Sequence, residues 1–172
     1  MIYKMEKRRE SSKKKQSNKS RTKKGYYKVK NIEKYLGNVN NVEYKSSWEY
    51  KFCVYCDLTP DVLKWGCEIL TIPYIDRFGK SRRYIPDFYL ECRNLKHPDL
   101  LNKFLVEVKP EKETKEPIIP KNISPQKLKN LEWELNTWYT NKHKWVYALE
   151  WCKKRDIIFR LVTEKQLNNF KL

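Results

Sequence analysis

Two short strings in the chain place charged side chains inside otherwise apolar, strand-like sequence. The first is Ile85-Pro86-Asp87-Phe88-Tyr89 and the second is Leu105-Val106-Glu107-Val108-Lys109. Because successive side chains of a strand point to opposite faces, Glu107 and Lys109 share one face and the valines between them share the other. An acid and a base placed in this way can form a local ion pair on a solvated face, or they can act together on a substrate.

The spacing of the two strings also predicts that their acids meet. An antiparallel hairpin about the 93–102 loop that matches Glu91 with Lys103 brings Asp87 opposite Glu107. Two carboxylates in opposite positions repel each other and weaken a sheet, and a divalent cation removes the repulsion. Hard oxygen ligands of this kind favour Mg²⁺ or Mn²⁺, which activate a water and stabilise charge on a phosphate. Lys109 could lower the pKa of that water or hold the phosphate, so the residues indicate phosphate-ester hydrolysis.

Glu49 is a further candidate for the same site. Ser46 and Glu49 have the spacing of a capping box, in which the glutamate reaches back to the backbone of the cap residue. Glu49 also lies at the edge of a predicted buried helical stripe, beside Cys53 and Cys56, where it could bind a metal or a metal-bound water. Spacing does not separate these two roles. Glu68, at the start of the next predicted strand, is an additional acidic candidate.

The elements that must position these residues are predicted in the order α-β-β-β-α-α-β. A helix begins at Ser46-Ser47-Trp48-Glu49 and ends near Pro60. Three strands follow, over 66–75, 82–92 and 103–109, with a hairpin turn at 76–79 between the first two. The third strand and a final strand over 157–163 are joined by helices, so we expect these two to run parallel. The sequence therefore predicts an α/β fold with a mixed sheet flanked by helices.

The helical region begins with Ser124-Pro125, a cap residue followed by proline, after a polar stretch over 110–123. Two helical stretches are predicted there. The first has its apolar positions at Leu128, Leu131, Leu135 and Trp138, and the second has a buried face of Trp145, Ala148, Leu149 and Cys152.

The charge of the chain points to a polyanionic partner. The formal net charge is +17, and residues 1–30 hold 13 Lys and Arg against two Glu. We predict a basic, disordered arm over 1–30 and a globular domain over 31–172. The arm either binds phosphates without sequence preference or serves as a solubilising tail. The candidate DNA contacts are Lys13, Lys14, Lys15, Lys23 and Lys24 in the arm, and Gln126, Lys127 and Lys129 in the later helix, whose ordinary solvated face explains them equally well.

Export and membrane insertion are not predicted. No apolar run approaches the ~18 residues of a membrane span, and the basic start leads into no apolar signal-peptide core. The five cysteines are therefore expected to be buried, reduced thiols. Cys53 and Cys56 could form half of a zinc site, but no second pair or histidine cluster completes it.

Together the motifs resemble a known pattern. Pro86-Asp87 and Glu107-Val108-Lys109 match the motif of the PD-(D/E)XK nucleases, and the α-β-β-β-α-β order matches their restriction-endonuclease-like core, a mixed four-stranded sheet flanked by helices. Over about 44–164 the chain resembles the head completion nucleases of T-even-type tailed phages, which are similar to the transposon end-cleaving endonuclease TnsA. The strings that carry the likeness are Tyr44-Lys45-Ser46-Ser47-Trp48-Glu49, Trp65, Ile72-Pro73-Tyr74, Arg83-Tyr84-Ile85-Pro86-Asp87-Phe88 and Leu105-Val106-Glu107-Val108-Lys109-Pro110.

The resemblance implies Mg²⁺-dependent cleavage of double-stranded DNA, with Mn²⁺ as a substitute, during virion assembly. The implied site has Asp87, Glu107 and Glu49 as metal ligands and Lys109 beside them, since the family places an active-site glutamate on the first helix. It implies phage head and neck proteins as partners, and a location in the virion or the cytoplasm of the infected host. The alternatives are a transposon-end, junction or repair endonuclease on the same core, and a non-catalytic DNA-binding protein of the phage neck.

Overall fold

The structure, a computed structural model, describes residues 24–168, and these form eight strands and three α-helices. The strands are β1 (Gly25–Tyr26), β2 (Glu43–Tyr44), β3 (Val62–Cys67), β4 (Ile72–Ile75), β5 (Ser81–Tyr84), β6 (Phe88–Arg93), β7 (Leu101–Val108) and β8 (Ile158–Val162). The helices are α1 (Ser47–Leu58), α2 (Pro125–Lys153) and α3 (Glu164–Leu167). Short 3-10 turns cover Ile32–Lys34 and Glu111–Thr114. Among the described residues no helix has the length and apolar content that a membrane span requires.

The central sheet has the strand order β3-β6-β7-β8. β3 pairs antiparallel with β6, and β6 pairs antiparallel with β7. β7 and β8 run parallel and are joined by the crossover that contains α2. This confirms the predicted mixed four-stranded sheet and the parallel pair. The register of β6 and β7 matches Glu91 with Lys103 and Phe88 with Val106, as the hairpin analysis predicted.

Helices cover both faces of this sheet. On one face, Phe52, Cys53 and Cys56 of α1 join a buried cluster with Val106 and Val108. On the other face, α2 packs its buried Trp145, Ala148 and Cys152 into a second cluster that contains Leu105 and Phe159. Because valines 106 and 108 belong to the α1 side, strand alternation directs Glu107 to the α2 side.

Two of the predicted strands were wrong, because each divides between two sheets. The predicted strand over 66–75 contains the end of β3, which begins earlier at Val62, and then all of β4. The strand predicted over 82–92 divides in the same way into β5 and β6. The first break lies at Glu68, whose φ of +50° is a left-handed conformation that ends the strand. Strands β4 and β5 pair in a separate hairpin whose turn lies at Asp76–Gly79, where a turn was predicted.

The two predicted helical stretches are a single helix, α2, of 29 residues. The segment between them contains no proline or glycine, so nothing in the backbone interrupts the helix. Leu149 was predicted to be buried but is 53% exposed. The helix packs one face on the core, and Leu149 lies off that face, which carries Ala148 and Cys152.

The N-terminal part of the described chain belongs to the fold. Tyr27 and Val29 are buried, and Tyr27 donates a hydrogen bond to the buried carboxylate of Asp57 at 2.8 Å. The predicted boundary at residue 30 therefore falls inside the folded part. Residues 1–23, which hold most of the predicted arm, lie outside the described residues.

Candidate active site

Asp87 and Glu107 lie at one end of the β6–β7 pair. Asp87 precedes the first residue of β6, and continuation of the observed register places it opposite Glu107, the penultimate residue of β7. Buried Pro86 and the first residue of β6 fix the backbone on either side of Asp87. The strand alternation that places Glu107 on the α2 face also places Lys109 there. The structure thus brings together the three residues of the two strings.

Glu107 is the most buried of these side chains and has two partners. It is 4% exposed, its Oε2 accepts a hydrogen bond from the Tyr84 hydroxyl at 2.8 Å, and its Oε1 lies 3.1 Å from Lys109 Nζ. Tyr84 is the last residue of β5, so the separate hairpin helps to hold this glutamate. Burial raises the pKa of Tyr84 well above its usual range, with the charge of Glu107 acting in the same direction. The phenol therefore stays protonated and donates.

The carboxylate of Asp87 has fewer stabilising partners than that of Glu107. Its Oδ2 accepts a hydrogen bond from the Val108 N–H at 2.8 Å, and no described residue donates to its other oxygen. Burial raises the pKa of Asp87 to about 7, with the charge of Glu107 as the next cause, although Lys109 and the Val108 amide act against the shift. The pKa is raised because Asp87 lies beside a second acid and the site has too little positive charge to stabilise both carboxylates.

Lys109 stays protonated. Burial lowers the pKa of Lys109, but the charges of Glu107 and Asp87 outweigh it and leave that pKa above its ordinary value. An ammonium group in this state cannot accept a proton. It can hold a phosphate oxygen or stabilise a hydroxide, which agrees with the predicted role.

Glu49 takes part in capping α1, which was one of its two predicted roles, but its side chain does not reach the Ser46 N–H as a full capping box requires. Its backbone N–H donates to Ser46 Oγ at 3.1 Å, and its Oε2 accepts from the Lys45 N–H at 2.7 Å. The Ser46 hydroxyl is also 2.9 Å from Oε1 of Glu49. The carboxylate is still close enough to the site for its charge to raise the pKa of Asp87. The cap formed by Ser46 is confirmed, the predicted contact of Glu49 with the cap amide is replaced by one with the Lys45 N–H, and ligation of a metal by Glu49 stays a prediction.

Tyr84 and Lys45 are site residues that the sequence reasoning missed. The Lys45 ammonium forms an ion pair with Glu68, and the charges of Glu49 and Asp87 also raise the pKa of Lys45. Glu68 is further tied to the site because its N–H donates to the Asp87 carbonyl at 3.0 Å. Nothing in the spacing could reveal Lys45. Tyr84 is the one buried residue of β5, three positions before Asp87, and the contrast with the three polar residues before it could have placed it on the inner face.

Comparison with known proteins agrees with this arrangement. The sequence model of the family described as "TnsA-like endonuclease N terminal" matches residues 59–164. The chain belongs to the TnsA-like endonuclease family. The head completion nuclease of Enterobacteria phage T4 is 35% identical over 144 residues, which cover 83% of this chain and 92% of that protein. No solved structure matches the chain. The mixed sheet flanked by helices fits the restriction-endonuclease-like fold that was predicted.

The predicted DNA contacts are exposed where the structure describes them. Gln126, Lys127 and Lys129 lie in the first turns of α2, with their side chains in solvent, and Lys24 is exposed ahead of β1. Lys13, Lys14, Lys15 and Lys23 lie outside the described residues. All eight stay predictions.

The carboxylates of Asp87 and Glu107 fit a divalent cation that retains several water ligands. Within residues 24–168, no three His, Cys, Asp or Glu side chains form a ready-made metal cluster. Asp87 and Glu107 supply two carboxylates, and Mg²⁺ is commonly held by one or two carboxylates together with water and substrate phosphate. The raised pKa of Asp87 reflects a local deficit of positive charge. A cation at the pair would remove that deficit.

The cysteines do not supply a closed zinc site in the described part of the chain. Cys53, Cys56 and Cys152 are buried, as predicted, whereas Cys67 and Cys92 are partly exposed. Cys53 and Cys67 lie with their Sγ atoms 3.8 Å apart as free thiols in the core beneath α1. Burial raises the pKa of Cys56 well above its usual range, so its thiol stays protonated and packs as a small apolar group.

Proposed function

We propose that the chain is a Mg²⁺-dependent DNA nuclease that hydrolyses phosphodiester bonds, with Asp87 and Glu107 as metal ligands and Mn²⁺ as a substitute. The observation that carries the proposal is the placement of these two acids opposite each other at the end of β6 and β7, with Lys109 3.1 Å from Glu107. Burial and the charge of Glu107 raise the pKa of Asp87 to about 7. A stable fold gains nothing from this arrangement unless a cation binds there.

Each residue of the site has a distinct proposed role. Mg²⁺, when bound, would supply an activated water and stabilise charge on the phosphate. Lys109, which remains protonated, would hold a non-bridging phosphate oxygen or stabilise the attacking hydroxide. Tyr84 keeps Glu107 in one orientation through its hydrogen bond at 2.8 Å. Residues that orient a metal-binding carboxylate in this way affect activity without touching the metal.

Glu49 is proposed as the fourth member of the site. Both of its oxygens accept hydrogen bonds, from the Lys45 N–H and the Ser46 hydroxyl, so direct ligation would require these bonds to break. Its proposed contribution is a negative charge at the edge of the site, close enough to raise the pKa of Asp87 and so to favour cation binding there.

The proposed biological setting comes from the curated relative. The head completion nuclease of phage T4 matches most of both chains, and we propose that this chain trims packaged phage DNA before heads join tails. Its partners would then be double-stranded DNA and phage head or neck proteins, in the virion or in the cytoplasm of the infected host. The basic arm would add phosphate contacts that have no sequence preference.

The proposal is tested by incubating the purified full chain with supercoiled plasmid, in Mg²⁺, in Mn²⁺ or in EDTA, beside a Glu107→Gln variant. We expect nicking or linearisation in either metal, none in EDTA, and a loss on the order of 10³-fold in the variant. Circular and linear DNA of the same sequence would separate endonucleolytic from exonucleolytic cutting.

The control for this experiment is DNA binding, measured by salt-dependent gel shift in EDTA. Glu107→Gln should bind plasmid as the wild type does, since the basic surface is unchanged. If the wild type binds DNA tightly but does not cut it in Mg²⁺ or Mn²⁺, the nuclease proposal is wrong, and a non-catalytic DNA-binding role in the phage neck takes its place. Cleavage by Glu107→Gln at the wild-type rate would show that the active site lies elsewhere.

A further inference from the structure

The β4–β5 hairpin extends outward from the candidate active site. Its inner face carries the buried side chains of Ile72, Tyr74 and Tyr84, which join the cluster under α2, and the Tyr84 hydroxyl contacts Glu107. Cross-strand pairing of Pro73 with Arg83 and of Ile75 with Ser81 puts these four residues on the opposite, outer face, where all of them are exposed. One face of the hairpin is therefore anchored beside the acids, and the other faces solvent.

The turn of the hairpin is held in one conformation by Asp76. The Oδ1 atom of Asp76 accepts hydrogen bonds from the backbone N–H groups of Phe78 and Lys80, each at 2.9 Å, and its Oδ2 accepts from Arg82 Nε at 3.0 Å. The Asp76 N–H donates to the Lys80 carbonyl at 2.9 Å. Arg77 ties the turn to α2 through a 2.7 Å hydrogen bond to Asn136. A tip fixed in this way loses little conformational entropy when it binds a partner.

The hairpin carries positive charge that nothing nearby neutralises. Asp76 and Arg82 form an internal ion pair. Arg77, Lys80 and Arg83 are exposed and form no ion pair with any acid in the described part of the chain, since the partner of Arg77 is an amide. Three cations thus remain for an anionic partner.

An aromatic side chain lies at the tip between these cations. Phe78 is 70% exposed, and the Arg77 guanidinium lies 4.7 Å from the centre of its ring. An exposed phenylalanine on an ordered turn costs solubility and contributes nothing to the core. Apolar side chains at the tips of basic elements are used in DNA-binding proteins to wedge between base steps.

We propose that the β4–β5 hairpin grips duplex DNA beside the active site, with Lys80, Arg83 and Arg77 on the phosphates and Phe78 inserted against a base step. This inference rests on the proposed DNA nuclease function and adds to it the element that seats the duplex. The insertion unstacks a base step at the tip, the end of the hairpin away from Asp87 and Glu107. Duplex DNA is favoured over an acidic protein because the hairpin is continuous with the acids at Asp87 and Glu107, which would have no part in protein binding.

The phosphate contacts are tested by fluorescence anisotropy of a labelled duplex in EDTA, so that no cleavage is involved. The variant is Lys80→Ala/Arg83→Ala, and the matched control is Lys28→Ala/Lys51→Ala, which removes two exposed charges beside and on α1, on the opposite face of the sheet. The hairpin variant should lose about two units from the slope of log affinity against log salt, and on the order of tenfold in affinity at ~0.1 M salt. The control should change the slope by much less.

The aromatic contact is tested with 2-aminopurine at successive positions of the same duplex. Wild-type binding should raise the fluorescence at one step, because the base there is unstacked. Phe78→Ala should abolish the rise and leave the salt slope unchanged, and Phe78→Leu should keep most of it, since leucine is also an apolar wedge. Because Phe78 is exposed, both variants should fold, which circular dichroism checks.

Two results overturn the inference. Equal salt slopes for the hairpin variant, the control and the wild type would show that Lys80 and Arg83 do not contact the phosphates. Loss of binding to polyglutamate but not to duplex DNA in Lys80→Ala/Arg83→Ala would assign the hairpin to an acidic protein instead. Both readouts are independent of catalysis, so a chain that binds DNA through the hairpin but cuts nothing would disprove the nuclease proposal and leave this binding role standing.

Discussion

Two aspartates in the described part of the chain, fully buried Asp57 and partly buried Asp87, differ in the direction in which their surroundings shift the carboxyl pKa. Asp57, at the end of α1, is fully buried, and its carboxylate accepts hydrogen bonds from the Tyr27 hydroxyl and the N–H groups of Lys30 and Asn31, at 2.7–3.0 Å. Burial acts to raise the pKa of Asp57, but these donors outweigh it and hold that pKa below its ordinary value. At Asp87 burial and the charge of Glu107 prevail, and the pKa rises to about 7.

The difference separates the structural carboxylate of Asp57 from the proposed functional one of Asp87. Asp57 joins the N-terminal segment to α1 and is satisfied by neutral donors, so it has no need of a cation. Asp87 has one backbone donor and a second acid opposite, so its charge is stabilised only when something positive arrives. We therefore propose that the supply of donors around a carboxylate, and not its burial alone, distinguishes a metal-binding acid from a structural one.

The largest effect on stability is expected at Asp57. Asp57→Asn removes the charge and turns an N–H group toward donors that need an acceptor, so the free energy of unfolding should fall by about 3 kcal/mol. Urea unfolding at neutral pH measures the loss. Asp57→Asn of unchanged stability would show that the contacts to Tyr27, Lys30 and Asn31 do not hold the N-terminal segment.

The same site predicts how stability depends on pH. The folded-state pKa of Asp57 lies below the unfolded value of about 3.9, so the unfolded state binds more protons in the window between them. Its contribution is fully present above about pH 5 and is lost as the pH falls through the folded-state pKa. The stability difference between wild type and Asp57→Asn should therefore shrink on acidification. A difference that stays constant down to pH 3 would contradict this.

Lys109 should have the next largest effect, which is expected on activity. Lys109→Met keeps the length of the side chain but removes the ammonium beside Glu107, so the cleavage rate should fall on the order of 100-fold, with DNA affinity little changed. Lys103→Met, at the other end of the same strand, is the matched control and should cut at the wild-type rate. Equal losses in both variants would mean that general basicity, and not the position of Lys109, matters.

Binding of the cation should stabilise the fold through Asp87. At a Mg²⁺ concentration about 100-fold above the dissociation constant, the wild type should gain about 2 to 3 kcal/mol, seen as a higher Tm. Asp87→Asn should lose this gain, while Asp57→Asn, starting from a lower Tm, should keep it. A Mg²⁺-dependent shift that survives in Asp87→Asn would place the metal elsewhere.

The smallest effect is expected at Tyr84. Tyr84→Phe removes the hydroxyl that donates to Glu107 and should slow cleavage roughly 10-fold, because the carboxylate is then less firmly oriented. Tyr74→Phe, on the same inner face of the hairpin, is the control, since Tyr74 makes no contact with Glu107. The rates of both variants on plasmid DNA, at equal Tm, decide the point.

The sequence predicted the site better than the elements around it. Pro86-Asp87 and Glu107-Val108-Lys109 could be placed because strand alternation and one hairpin register are short-range rules, and both hold in the structure. The division at Glu68 could not be predicted, because a left-handed glutamate has no spacing signal. The charge deficit at Asp87 depends on donors contributed by several elements and becomes visible only once they are assembled. The donors to Asp57 come from residues 27–31, most of which were assigned to a disordered arm.

Cleavage by Asp87→Asn and Asp57→Asn, side by side, tests the central claim most directly. Both changes replace a carboxylate by an amide of the same shape, and both rates are normalised to the folded fraction measured by circular dichroism. We predict that Asp87→Asn folds and loses on the order of 10³-fold in Mg²⁺-dependent plasmid cleavage. Folded Asp57→Asn should cut as the wild type does. Cleavage by Asp87→Asn at the wild-type rate would contradict the account.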